Sequence, residues 1–147
     1  MKIALIQTEI IWEDQAANLL DIENYIALIK EPVDLMVLPE TFTTGFSMNV
    51  QEYADDAGVT VDWMKKMALR KKCALSGTAM IKEGIDYFNR HYFVNGEGEI
   101  TIYDKRHLFR MSRERDFFKQ GDRRVVVELG GFRILLQTCY ALRFPAF

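Results

Sequence analysis

The chain has 147 residues, 49% of them apolar and 12% aromatic, which is enough for one packed domain and excludes disorder throughout. Nineteen Lys and Arg against 21 Asp and Glu leave a net charge of −2, so no long-range field favours nucleic acid or an anionic membrane. The two cysteines, Cys73 and Cys139, form no CxxC pair; they argue against a disulfide-stapled secreted domain and a zinc ribbon, and a cytoplasmic location is expected.

Residues 2–8 (KIALIQT) read as a buried strand that begins at once, without a basic leader or a long apolar stretch, so neither export nor a membrane span is expected. Asp14 is a candidate N-cap for a helix carrying Ala16, Leu19, Ile22, Ile26 and Ile29 on one face, which Pro32 should end. The run 33–38 (VDLMVL) has the continuous apolar character of a strand covered on both faces, and strand–helix–strand points to an α/β fold.

A polar and aromatic loop over 39–59 leads to a second helix with Val61, Met64 and Ala68 on its inner face and Lys65, Lys66, Arg70, Lys71 and Lys72 toward its C-terminus. Residues 74–81, 85–95 and 100–103 follow as strands joined by Glu83-Gly84 and Asn95-Gly96-Glu97-Gly98, a pattern that predicts antiparallel hairpins. A charged stretch over 104–124 precedes a last strand pair, 125–129 and 132–137, around Gly130-Gly131.

Glu40, Lys105 and Cys139 each follow one of these strands. Strand ends in α/β proteins are where polar side chains converge on a cavity without breaking the core. A carboxylate, an ammonium and a thiol in one pocket suffice for attack on an amide carbonyl: the glutamate accepts the thiol proton, the thiolate forms a thioester, and the ammonium with a backbone N–H stabilises the oxyanion. The ammonium should also lower the thiol pKa. Neither a metal nor a histidine is required, although His91 and His107 leave room for one Ser-His-Asp arrangement. Taken singly, each residue has a plainer reading, as a buried cysteine or a solvated charge.

The segments 38–46 (LPETFTTGF), 103–109 (YDKRHLF) and 139–145 (CYALRFP) resemble the three signature blocks of the nitrilase superfamily, the carbon–nitrogen hydrolases, in the same order. Within it the wording is most similar to bacterial omega-amidases, which hydrolyse the terminal amide of 2-oxoglutaramate and 2-oxosuccinamate. The resemblance implies an α-β-β-α sandwich and a single domain over 1–147, here its N-terminal half and incomplete at the C-terminus. It also implies Glu40 as general base, Lys105 as oxyanion stabiliser, Cys139 as nucleophile, the Tyr140 backbone N–H as second oxyanion donor, and Glu114 as a supporting carboxylate beside the lysine. No cofactor or metal is implied; the partners would be a small 2-oxo acid amide and a second copy of the chain in a homo-oligomer, a dimer. Arg110 and Arg113 are candidates to meet the substrate carboxylate.

Ala141 stands where the family has an aspartate that could pair with Arg143 or cap the following turn, and Ala146 where a glutamate is common. Three alternatives remain: an amidase of the superfamily with another substrate, a catalytically inactive half-domain that self-associates through its strands and the tail 142–147, and an α/β ligand-binding module with a core cysteine.

Overall fold

In the computed structural model the described residues are 1–144. In chain order they form β1 (Ile3–Leu5), α1 (Gln15–Leu28), β2 (Leu35–Val37), α2 (Val50–Tyr53), α3 (Val59–Lys71), β3 (Ala74–Glu83), β4 (Asp86–Val94), β5 (Ile100–Asp104), α4 (Glu114–Phe117), β6 (Val126–Leu129) and β7 (Phe132–Leu135). Short 3-10 turns cover Arg110–Ser112 and Cys139–Arg143. Pro145, Ala146 and Phe147, and with them the Ala146 substitution and the end of the 142–147 tail, lie outside the described residues.

Five strands form one sheet in the order β1-β2-β3-β4-β5, parallel through β3 and antiparallel beyond it. The hairpin expectation holds for β3–β4 and β4–β5. Side chains alternate between the two sheet faces. On one face Met36, Leu75, Ala79, Tyr92 and Val94 pack against Leu19, Ile22 and Ile26 of α1 and Met64, Met67 and Ala68 of α3. On the other, Leu35, Ala74, Phe93 and Tyr103 pack against Val127 and Leu136. Each such buried aliphatic or aromatic side chain contributes roughly 1.5–3 kcal/mol.

Asp14 caps α1, accepting from the Ala17 N–H at 3.0 Å. That helix ends at Leu28, four residues before Pro32, because Ile29 is already extended. The second helix, α3, begins at Val59, where the loop was expected to end; the periodicity did not show Asp55, which accepts from the N–H groups of Ala57, Gly58, Val59 and Thr60 at that start. Three strands are shorter than their apolar runs: β1 stops at Leu5, β2 covers only Leu35–Val37, and β7 stops at Leu135. The loop 39–59 contains α2, and the charged stretch 104–124 contains a 3-10 turn and α4. No helix among the described residues is long and apolar enough to cross a membrane.

Candidate active site

Glu40 sits just past β2 on a turn fastened to β3. The Leu38 N–H donates to Ser76 O (2.7 Å), the Phe42 N–H to Thr78 O (3.0 Å) and the Thr41 N–H to the Thr78 hydroxyl (2.8 Å). This approach needs glycine at position 77, where an added Cβ would lie 2.8 Å from Leu38 Cβ.

Lys105 extends β5 by one further bond, its N–H donating to Asn89 O of β4 at 2.9 Å. Its side chain is fully buried. A buried ammonium must be paired, and here Nζ donates to Glu40 Oε1 at 2.7 Å and lies 3.0 Å from Glu114 Oε2. The Phe46 ring centroid is 5.1 Å from Nζ. Glu114, placed by α4, is fully buried rather than a surface charge among arginines, and it also accepts from the Phe109 N–H. Burial alone would push the Lys105 ammonium down; Glu40 and Glu114 outweigh it, so its pKa lies above the ordinary lysine value.

Cys139 is exposed and lies four residues beyond β7, at the start of a 3-10 turn rather than at a strand end. Its φ of +46° places a non-glycine residue in the left-handed region. The turn is closed by the Ala141 N–H donating to Thr138 O at 3.0 Å, and Ala141 is fully buried, so backbone bonds close the turn here without a carboxylate. Exposure removes the core-cysteine reading.

The thiol borders a cleft of about 180 Å³ whose walls include Glu40, Ser76, Thr78, His91 and Thr138. Although Cys139 is exposed as a residue, local burial is the first cause raising its thiol pKa and the Glu40 carboxylate the second; Lys105 and the Tyr140 N–H pull it down by less. Lys105 does pull the thiol pKa down as expected, but burial and the Glu40 carboxylate outweigh it, so the net shift is upward. The cysteine rests as a thiol, and a base must take its proton.

The structure thus brings together Glu40, Lys105 and Glu114, with the Cys139 thiol beside Glu40 and the Tyr140 N–H beside that thiol. It does not bring the two arginines. Arg113 is exposed and ion-paired with Asp116 at 2.9 Å, Arg110 is exposed on its turn, and neither lines the cleft. Among the described residues no group of three or more His, Cys, Asp or Glu is arranged to hold a metal ion.

Of two polar residues of β4 at the site, Asn89 escaped the sequence reading and His91 entered it only for a Ser-His-Asp arrangement. Asn89, fully buried, donates from Nδ2 to Glu40 Oε1 (2.8 Å) and Glu114 Oε1 (3.0 Å). His91 contacts the Ser76 hydroxyl through Nε2 (2.7 Å) and Thr138 Oγ1 through Nδ1 (3.4 Å), and burial lowers its pKa to about 4. With Thr138 rather than an acid behind it, this histidine is not part of a Ser-His-Asp triad. The available signal was the i, i+2 spacing, which puts both residues on the sheet face of Phe93.

Fold and site together define an α/β protein that gathers a carboxylate pair, a buried ammonium and a thiol from the segments just past β2 and β5, from α4 and from the turn after β7. Residues 2–147 match the family model described as carbon-nitrogen hydrolase, and the chain belongs to that family. It is 40% identical over 145 residues to the omega-amidase YafV of Yersinia enterocolitica, covering 99% of this chain and 56% of that protein. It is 31% identical over 147 residues to the 2-oxoglutaramate amidase of Bacillus subtilis, covering 97% and 57%. The crystal structure of XC1258 from Xanthomonas campestris, a CN-hydrolase superfamily protein with an arsenic adduct in its active site, superposes with a TM-score of 0.95 at 37% identity, covering 99% of this chain and 56% of that one. The α/β sandwich expectation is thereby met, and the chain spans little more than half the length of the relatives it matches.

Proposed function

We propose that residues 1–147 belong to a single carbon–nitrogen hydrolase domain that cleaves the terminal amide of a short 2-oxo acid amide, 2-oxoglutaramate or 2-oxosuccinamate, through a thioester on Cys139. The observation that carries the chemistry is the fully buried Lys105 held between Glu40 and Glu114 beside an exposed cysteine with positive φ. The substrate class rests on the likeness to an omega-amidase and a 2-oxoglutaramate amidase.

Glu40 takes the Cys139 proton as sulfur attacks the carbonyl carbon. The thiolate then faces a neutral carboxyl, so the repulsion that raises its pKa is gone while the Lys105 charge remains. An ammonium has three N–H donors; Glu40 and Glu114 occupy two, and the third meets the oxyanion together with the Tyr140 N–H. As the intermediate collapses, the C–N bond breaks, Glu40 returns its proton to nitrogen, and ammonia leaves. Glu40 next removes a proton from water, which attacks the thioester; the S–C bond breaks, the carboxylate product departs and Cys139 regains its proton.

In keeping with two free cysteines we read the protein as cytoplasmic, and in keeping with the exposed apolar residues on its edge strands as a homo-oligomer, a dimer. The deciding assay follows ammonia release from 2-oxoglutaramate and from an uncharged aliphatic amide, with Cys139→Ala as control. Release that favours 2-oxoglutaramate and vanishes in the variant is expected. Preference for the uncharged amide reassigns the substrate, and release that survives in Cys139→Ala removes the cysteine mechanism.

A further inference from the structure

Asn89 is fully buried in the middle of β4, and its contacts are unusual for a residue that merely fills space. Its Nδ2 donates to Oε1 of Glu40 at 2.8 Å and to Oε1 of Glu114 at 3.0 Å, while its main-chain oxygen accepts from the Lys105 N–H at 2.9 Å. Ionised carboxylates only accept hydrogen bonds, so the NH₂ end of the carboxamide has to face them. The opposite atom, Oδ1, is buried without a hydrogen-bond partner among the described residues. Burying an unpartnered oxygen costs free energy, and a residue selected for packing alone would avoid it.

Lys105 Nζ donates to the same Glu40 oxygen, Oε1, at 2.7 Å. Among the described residues, the ammonium and the carboxamide thus both hold Oε1, and Oε2 is left as the oxygen of Glu40 without a protein donor. We infer that Asn89 is a positioning residue for the proton transfer: with Lys105 it pins Oε1 of Glu40, fixes the carboxylate against rotation, and presents Oε2 to the Cys139 thiol. The inference rests on reading Glu40 as the base for Cys139. It assigns β4 a part in a site whose charged groups come from the segments after β2 and β5 and from α4.

The test is brief alkylation of the 147-residue chain with iodoacetamide at neutral pH, followed by peptide mapping of Cys139 and of the buried Cys73. It is repeated on Asn89→Leu, which keeps the branched shape and heavy-atom count and loses every side-chain donor, and on Asn89→Ser, which loses volume and keeps one hydroxyl donor. A positioning role predicts that Cys139 labels on the order of tenfold more slowly in the leucine variant, with serine between it and the wild type. A packing role predicts the reverse order. Leucine at the wild-type rate, or faster than serine, overturns the inference. Should Cys73 become labelled in the leucine variant, Asn89→Asp keeps the shape and replaces the donor with an acceptor; slow Cys139 labelling there supports the inference and an unchanged rate overturns it. Because labelling needs no turnover, the two readings fail separately. The predicted order without ammonia release rejects the amidase and keeps Asn89, whereas ammonia release without the order does the opposite.

Discussion

Lys105 is the residue on which the site depends, because it is the cation between two carboxylates in a fully buried position. Lys105→Ala leaves Glu40 and Glu114 facing each other, and removing one partner from a buried ion cluster costs about 3–5 kcal/mol. Loss of the oxyanion donor should also lower kcat by at least about 10²-fold. Urea midpoints and steady-state rates measure both, and an unchanged kcat would remove the lysine from the mechanism. His91 gives a pH-dependent prediction. Its folded pKa is about 4, below the ordinary 6.5, so between these values the unfolded chain binds a proton that the folded one does not. Stability is therefore insensitive to this group above about pH 6.5 and falls as pH drops toward 4, by about 3 kcal/mol in all. Glu23 and Glu31, both lowered by basic partners, add their own loss on acidification, so the informative quantity is the difference between wild type and His91→Phe. The variant should lose less stability than the wild type between pH 7 and 4.5; parallel losses would show that His91 is not held neutral. Glu40, Lys105 and Cys139 were legible in the sequence because each lies in a block of distinctive neighbours. Asn89 was not, since a polar residue inside an alternating strand reads as one turned toward solvent, and His91 was legible only as a possible triad histidine.

The elements do their work through close approaches that only glycine permits. At Gly121 an added Cβ would stand 2.1 Å from Asp104 O, and the Gly121 N–H donates to Lys105 O at 3.1 Å. The obstructing atom is backbone, so Gly121→Ala has to displace the end of β5 and with it Lys105. The variant should unfold earlier on heating and lose activity with it, whereas Gly84→Ala, at a turn with open space, carries only the strain of its φ of +62°. Equal behaviour of the two would contradict the proposed fixing of Lys105. Periodicity located both long helices, the hairpin strands and the Asp14 cap because each is a local property of sequence. The Asp55 cap, the burial of Glu114 and the placing of Cys139 beyond its strand depend on contacts between distant segments, which spacing along one segment does not carry.

At the scale of the whole molecule, two features stand apart from an ordinary soluble surface. Ile3 and Leu5 on β1 are exposed on one face of an edge strand, as are Ile100 and Ile102 on β5 at the opposite edge. Exposed apolar edges favour association between chains. In the described part of the tail Leu142 and Phe144 are both exposed, although the Phe144 ring stacks on His107 at 4.0 Å. The chain should elute from size exclusion as an oligomer in a concentration-dependent way, and Leu5→Lys should shift it toward monomer; a monomer at every concentration would reject the dimer reading. The family, and through it the sandwich, was legible from three short blocks, but which residues of the last strand pair cover the second sheet face was not, because that follows from contacts between distant segments. The central claim is that Glu40 works as a base for Cys139 and not only as a charge beside it. It is tested by the alkylation rates of Cys139 and Cys73 at neutral pH in the wild type and in Glu40→Gln. The account predicts that Cys139 labels well ahead of the buried Cys73, and that Glu40→Gln slows Cys139 on the order of tenfold or more. Were Glu40 merely a negative charge, its removal would ease thiolate formation, so faster labelling in Glu40→Gln, or Cys73 reacting first in the folded protein, would contradict it.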